Sequence, residues 1–256
     1  MSAWDVNLYM QFENERTQPA IDLVSRININ QPRRIIDLGC GAGNSTEILR
    51  RRWPDAQIGG LDSSPEMITA ARTNNPDMEW MLGDAGAWHP STVFDLVFSN
   101  AAILWIPKHD ELLPHLLNQV APGGVLAIQI PAQIYSALHR LILKVADEPE
   151  WAPLMAGAKS TFTIENPSYY YDVLIGESNH LDIWETEYCH IMEDHQAIIK
   201  WISSTGLRPF IEALATEKQK QLFIQMLSEL VVKAYPPQID GKVLFPFRRI
   251  FLVAYR

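Results

Sequence analysis

The sequence predicts an α/β fold: a doubly wound, mostly parallel sheet with helices on its faces. Three observations predict it. Residues 33–46 read R-R-I-I-D-L-G-C-G-A-G-N-S-T: an apolar run, three glycines at alternate positions, then a helix start. Four more short apolar or β-branched runs follow before residue 131, separated by segments of helical pattern. Acidic residues stand at or just past the ends of two of these runs, at Asp62 and Asp84. Strands alternating with helices build parallel sheets. Ligands bind such sheets outside the carboxyl ends of the strands.

Residues 1–30 read as one or two helices, with Trp4, Leu8, Tyr9 and Phe12 at about helical spacing. Pro19 suits the first turn of a second helix over 20–27. This leading segment either folds over a pocket or is a plain amphipathic helix. Ile35, Ile36 and Leu38 then form the first strand, and Gly39, Gly41 and Gly43 the turn after it. Glycine is required where backbone must take φ > 0 or approach a ligand closely. The helix opened by Asn44-Ser45-Thr46 offers free N–H groups and a positive dipole end, which suit a carboxylate or phosphate. A dinucleotide site favours G-x-G-x-x-G. Here the third glycine comes one residue early, giving D-x-G-x-G-x-G from Asp37 and speaking against a nicotinamide cofactor. Cys40, inside the loop, reads as a small packing residue rather than a redox thiol.

Residues 57–61 form the second strand, ending at Asp62, 19 residues beyond Gly43. An acid there either accepts from both ribose hydroxyls of a nucleoside or caps the next helix. Ser63-Ser64-Pro65-Glu66 supplies a cap without it, which favours the ribose role. Residues 79–82 are a third strand, followed by Gly83-Asp84-Ala85-Gly86-Ala87-Trp88. Asp84 is placed to accept from an exocyclic adenine amine and Trp88 to cover an apolar face; the alternative is an ordinary surface turn. Residues 94–99 are a fourth strand, running into Asn100-Ala101-Ala102-Ile103-Leu104-Trp105, where chemistry sits in an open sheet. A helix over 110–120 is broken by Ala121-Pro122-Gly123-Gly124, and 125–130 is a fifth strand.

From Pro131 the rhythm changes. Helical pattern covers 135–146, a Pro- and Trp-containing stretch runs to Asn166, and Pro167 opens another helix. So long an insert is a functional cap rather than a connection. Residues 181–192 alternate as a strand, 197–203, 208–214 and 218–232 read as helices, and 244–255 closes as a strand. No parallel crossover joins these last two strands, so they predict an antiparallel edge.

The chain has 256 residues, a hydrophobic fraction of 47% and a net charge of −9. It suits one domain with a cap. The acidic balance argues against nucleic acid, whose binders carry a basic face. Two cysteines make a disulfide framework unnecessary and fit a reducing compartment. No signal-peptide pattern and no membrane-length apolar run is present, so a cytoplasmic protein without membrane association is expected. The seven histidines are scattered without ligand spacing, so no metal is assigned.

Asp37-Leu38-Gly39-Cys40-Gly41-Ala42-Gly43, Asp62, Asp84 and Ala121-Pro122-Gly123-Gly124 occur in an order that resembles the class I S-adenosylmethionine (SAM)-dependent methyltransferases. Further blocks resemble the trans-aconitate 2-methyltransferase family within them. These are Trp4-Asp5, Leu8-Tyr9, Phe12, Glu15-Arg16 and Pro19-Ala20 at the start, and Asp62-Ser63-Ser64-Pro65-Glu66-Met67. Asp182-Ile183-Trp184, His195–Trp201 and Thr205-Gly206-Leu207-Arg208-Pro209 extend the likeness nearly end to end. Ala42, where the family would carry proline, is a mild departure; residues 152–163 are less familiar.

The resemblance implies a Rossmann-like seven-stranded sheet, its last strand inserted antiparallel, in a single domain over 1–256. The helical cap would cover about 1–30, 131–180 and 193–240. It implies SAM as cofactor, held by Asp37, Gly39, Gly41, Gly43, Asp62, Ser63, Met67, Asp84, Ala85, Ser99 and Asn100. It implies a small carboxylate substrate, trans-aconitate, converted to a monomethyl ester; the alternative is a SAM-dependent methyltransferase for another small carboxylate or other small-molecule acceptor. A carboxylate has a reference pKa of roughly 4 and is already ionised, so no general base is expected. Its negative charges demand cations, and arginine suits them. Arg16, Arg208 and either Arg248 or Arg249 are candidates, because alternation lets only one of the last pair face a pocket; Arg248 is chosen. Trp4, Tyr9, Trp105 and Tyr135 either wall the substrate site or pack in the core.

Overall fold

Strand β1 (Arg34–Leu38) is buried along nearly its whole length, as the central strand of a parallel sheet must be. The computed structural model describes residues 13–256. β2 (Gln57–Asp62) runs parallel to β1 and sets Leu61 beside Leu38. β3 (Glu79–Leu82) is parallel to β2, with Leu82 beside Asp62. β4 (Phe94–Asn100) flanks the other side of β1, with Phe98 beside Asp37. β5 (Val120–Pro131) is parallel to β4, with Gln129 beside Asn100. This register aligns the carboxyl ends of four strands. The 83–88 loop, Asp62, the glycine turn and Asn100 therefore follow one another along one sheet edge.

β6 (His180–Met192) and β7 (Val243–Tyr255) complete a seven-stranded sheet in the order β3-β2-β1-β4-β5-β7-β6. The Gly123 N–H donates to the Arg256 carbonyl at 2.7 Å, and the Ala132 N–H to the Arg248 carbonyl at 2.9 Å. Partner numbers fall on β7 as they rise on β5, so β7 is inserted antiparallel. Trp184 stacks on Phe251 at 4.7 Å, and His190 lies 6.3 Å from Phe245, which gives β6 and β7 the same opposed sense.

Helix α1 (Glu13–Arg26) corrects one expectation: Pro19 lies inside a single helix instead of opening a second. An interior proline costs a helical hydrogen bond and roughly 3 kcal/mol. Burial of Ala20, Leu23 and Val24 on the inner face offsets that cost. The other helices among the described residues are α2 (Asn44–Arg52), α3 (Pro65–Asn74), α4 (His109–Asn118), α5 (Ala137–Ala146), α6 (Ala156–Lys159), α7 (Pro167–Leu174), α8 (His195–Ser203), α9 (Arg208–Glu212) and α10 (Glu217–Ala234). The expected break at 121–124 is a second correction. Those residues lie within β5, where Gly123 takes φ +79° and the register with β4 shifts. Hydrogen bonds between Gly123-Gly124 and Arg256 draw them into the ladder.

Two compact units result. A sheet unit comprises Glu13–Pro131, Thr163–Glu185 and Ile250–Arg256. Among the described residues, the second, helical unit comprises Ala132–Phe162 and Thr186–Arg249. Its core gathers Leu138, Ile142, Trp151, Phe210, Phe223 and Phe245. Residues 13–30 and 163–180, expected in the cap, fall in the sheet unit. No helix among the described residues is long and apolar enough to cross a membrane.

Candidate functional site

The glycine turn is where the sheet unit opens. Gly39 takes φ +71°, and a Cβ there would lie 2.1 Å from that of Ala102. Gly41 takes φ +55°, and among the described residues a Cβ there would meet nothing within 4 Å, which leaves room for a ligand. The Gly41 N–H donates to Asp62 Oδ2 at 2.9 Å, and Asp62 Oδ1 accepts from the Ser64 N–H at 2.9 Å. Ser64 itself caps α3, its hydroxyl accepting from the Met67 N–H at 3.2 Å. The capping role thus falls to Ser64. Asp62 braces the loop and keeps acceptor capacity on both oxygens. Burial raises its pKa, against the pull of backbone N–H groups.

Asp37 is fully buried. Its Oδ2 accepts from the Ser45 hydroxyl at 2.6 Å and from that of Thr46 at 2.7 Å. Its Oδ1 is buried and accepts nothing. Burial pushes the Asp37 pKa up to about 6; the two hydroxyls oppose this, and the charge of Asp62 adds to it. Ser45 and Thr46 were absent from the expected set, although their place in the first turn of α2 is the signal that would have found them. Gly43 is the N-cap of α2 and provides no side-chain cap. Two crowded carboxylates favour a cationic ligand, which would relieve both.

Asn100 is half-buried, and its Oδ1 is a second acceptor left unmet. Ala101 takes φ +58°, a strained conformation of the kind that collects at functional loops. Ser99 is fully buried, and its hydroxyl donates to the Leu38 carbonyl at 2.9 Å, tying β4 to β1. Ser63 is exposed, while Met67 is buried on the inner side of α3. Asp84 is exposed; its Oδ1 accepts from the Gly86 N–H at 2.8 Å and holds the single 3₁₀ turn Ala85–Ala87. Ala85 is buried beneath that turn. Trp88 packs tilted against Phe94 at 5.3 Å and is 9% exposed, so it is a core residue rather than the expected cover. Cys40 is buried with Ile68, Ala71 and Trp80, and burial pushes its thiol far up, as packing requires.

Arg16 is buried on α1, and Trp105 is half-buried in the 3₁₀ turn Ile103–Trp105. An unforeseen group fixes that turn. His109 Nε2 lies 3.0 Å from the Ile103 carbonyl, and His109 Nδ1 lies 3.0 Å from the Tyr170 hydroxyl. That hydroxyl also accepts from the Glu165 N–H at 3.0 Å. The bonding favours a neutral ring with its proton on Nε2, and burial lowers the His109 pKa accordingly.

In the helical unit Arg208 opens α9, with only 10% of its side chain exposed, 3.4 Å from Glu212. Tyr135 ends the 3₁₀ turn Gln133–Tyr135. Alternation on β7 resolves the other way from that expected: Arg248 is exposed, and Arg249 is buried beside Phe247. Trp4 and Tyr9 lie outside the described residues. Among the described residues no three His, Cys, Asp or Glu side chains gather as a metal-ligand set.

Residues 35–124 match the family model described as a methyltransferase domain. The whole chain is 43% identical to the trans-aconitate 2-methyltransferase of Azoarcus sp. (strain BH72), covering 100% of both. It is 44% identical to that of Methylobacterium nodulans, over 100% of this chain and 99% of the relative. Among solved structures, the YcgJ protein of Bacillus subtilis superimposes with a TM-score of 0.61 at 13% identity, covering 93% of this chain and 98% of that one. The BH2331 protein of Bacillus halodurans C-125 gives 0.59 at 15% identity, with the same coverage. The last two likenesses are of fold.

Proposed function

Because this chain belongs to the trans-aconitate 2-methyltransferase family, we propose that it transfers the methyl group of SAM to a carboxylate of trans-aconitate. The products are a monomethyl ester and S-adenosylhomocysteine. The observation that carries this reading is likeness over the entire chain, cap included, at 43–44% identity.

The sheet unit fits the donor. Asp62 keeps free acceptor positions for ribose hydroxyls, Asp84 keeps one oxygen for an adenine amine, and Gly41 leaves room for close approach. Asp37 and Asn100 each hold a buried oxygen without a hydrogen bond, suited to a ligand rich in positive charge and donors. Met67, Ala85 and Ser99 shape the supporting backbone, with Ser63 on the rim. Bound SAM supplies a methyl group activated by positive sulfur. An ionised carboxylate attacks without losing a proton, so the protein needs no general base. What it contributes is alignment and exclusion of water. In the sheet unit Arg16 is proposed to hold an acceptor carboxylate, with Trp105 as an apolar wall; in the helical unit Arg208 is a separate candidate cation. The net charge of −9 makes a small molecule the fitting partner, without nucleic acid or membrane. Free Cys40 and Cys189 fit a cytoplasmic setting.

A methyl-transfer assay across di- and tricarboxylates tests this. The expected product is a base-labile ester of trans-aconitate. Transfer confined to hydroxyl or amine acceptors would overturn it.

A further inference from the structure

The segment after β4 passes twice through backbone that side chains resist. Ala101 takes φ +58° and Lys108 φ +60°, and between them lies the 3₁₀ turn Ile103–Trp105. Residues other than glycine keep such conformations only where their surroundings over-determine them. The same segment bears on both loops proposed to hold the donor. A Cβ built on Gly39 would lie 2.1 Å from that of Ala102, and one built on Gly86 would lie 3.1 Å from Ile106 Cγ2. Any shift of residues 100–106 is therefore passed to the glycine turn and to the Ala85–Ala87 turn.

Two stretches of the sheet unit hold this segment in place. The Leu104 carbonyl accepts from the Thr163 N–H at 2.9 Å. The Ile103 carbonyl accepts from the Ile106 N–H at 2.9 Å and lies 3.0 Å from His109 Nε2. A carbonyl can only accept, so Nε2 carries the proton and Nδ1 is the acceptor. The Tyr170 hydroxyl, 3.0 Å from Nδ1, donates to it and accepts from the Glu165 N–H at 3.0 Å. Burial keeps the His109 ring neutral, although the charges of Glu165 and Asp110 pull the other way. Glu165 N–H, Tyr170 hydroxyl, His109 ring and Ile103 carbonyl thus form one directed chain of hydrogen bonds. His109 and Tyr170 are fully buried, so any effect they have on a reaction passes through the turn.

We propose that His109 and Tyr170 are positioning residues for methyl transfer. Their chain of hydrogen bonds locks the Ile103–Trp105 turn, and with it Asn100 and Ala102, in the alignment the reaction requires. This rests on the methyl-transfer function above.

The test compares wild type with Tyr170→Phe, which deletes one hydroxyl, and with His109→Gln and His109→Leu. Glutamine keeps an N–H for the Ile103 carbonyl, and leucine keeps neither bond. Calorimetry counts the sites that bind SAM, and kcat is expressed per such site. Leu116→Ala removes a fully buried side chain from the same helix and serves as a control for lost stability alone. The kcat should fall about tenfold or more in Tyr170→Phe and His109→Leu, and less in His109→Gln, because small misplacements cost large factors. The KM for the acceptor and the Kd for SAM should stay within about threefold, the mark of an interaction felt in the transition state. Leu116→Ala should keep the wild-type kcat. The double variant Tyr170→Phe/His109→Leu should be no slower than His109→Leu, since the two act through one bond. Hydrogen exchange at the Trp105 and Ile106 amides needs no acceptor, and it should quicken more in Tyr170→Phe than in Leu116→Ala. Unchanged exchange would overturn the lock. Quicker exchange with unchanged kcat, or a kcat loss that Leu116→Ala shares, would overturn the positioning role. If wild type methylates only an acceptor that is not a carboxylate, the functional reading fails alone, and the same kcat ratio on that acceptor decides the positioning role. A wild type that transfers no methyl group overturns both.

Discussion

The two units present their polar groups in different ways. In the sheet unit the groups at the open edge are backbone N–H donors and short side chains at strand ends: Gly41, Asp62, Asp84 and Asn100. Parallel register alone brings them side by side, because each stands just past a strand whose neighbours are fixed. In the helical unit the corresponding groups are Gln133, His190, Arg208 and Arg249. They come from four stretches far apart in sequence: His190 lies 4.9 Å from the Trp201 ring, Arg249 5.0 Å from that of Phe247, Gln133 lines a pocket with Phe247, and Arg208 lies 3.4 Å from Glu212. A site made by register is tolerant of side chains and intolerant of backbone change. One made by packing has the opposite sensitivity.

Gly39→Ala should break the sheet unit most severely. The new methyl meets Ala102 at 2.1 Å and the backbone is held at φ +71°. Overpacking and left-handed strain together should cost roughly 4 kcal/mol. Gly41→Ala carries only the strain, about 1 kcal/mol, because nothing among the described residues lies within 4 Å. Its loss should appear in SAM binding instead. Thermal melts and calorimetry separate the two, and equal melting temperatures would show that the loop is not held as described.

Asp37→Asn comes next. The folded-state pKa of Asp37 is raised from 3.8 to about 6 by burial. A raised acid contributes stability fully present below about pH 4 and lost as pH climbs through about 6. At pH 7 the ionised group therefore costs on the order of 3 kcal/mol. Asparagine keeps an oxygen for Ser45 and Thr46 and removes the charge. The variant should match wild type in melting temperature near pH 4 and exceed it above pH 7, while binding SAM more weakly. A difference that is flat with pH would exclude the buried charge as the cause.

Asp62→Asn leaves shape and one acceptor oxygen but no charge. Charge-assisted hydrogen bonds are worth about 1.5–3 kcal/mol, so SAM affinity should fall roughly 10- to 100-fold. The KM for the acceptor at saturating SAM should stay near normal. Undiminished affinity would remove Asp62 from the donor site.

Much of the sheet unit was legible in the chain. Apolar runs, alternate glycines and an acid at a strand's end are short-range signals, and they located β1, β2, Asp37 and Asp62 directly. What escaped was decided by packing. Pro19 reads as a helix start, but burial of Leu23 and Val24 carries one helix through it. Gly123-Gly124 reads as a break, yet pairing with Arg256, 132 residues on, recruits it to a strand. Nothing near His109 announces that Tyr170 will hold its ring. The same holds for Gln133, which Gly206 and Phe247 meet in space.

The smallest effect gives the sharpest comparison within one strand. Phe245, Phe247 and Arg249 of β7 are buried, whereas Leu244, Pro246 and Arg248 are exposed, the period of two that a pleated strand imposes. The Arg248 carbonyl accepts from the Ala132 N–H, a bond that no side-chain substitution removes. Arg248→Gln should therefore change stability by less than about 0.5 kcal/mol, the ordinary range for a surface site. It should leave the KM for the acceptor and the SAM affinity as they are. Its neighbour differs by one position and points the other way, so Arg249→Gln is the matched contrast in the same assay. Should Arg248→Gln raise the KM while Arg249→Gln does not, the inward face of β7 has been assigned backwards.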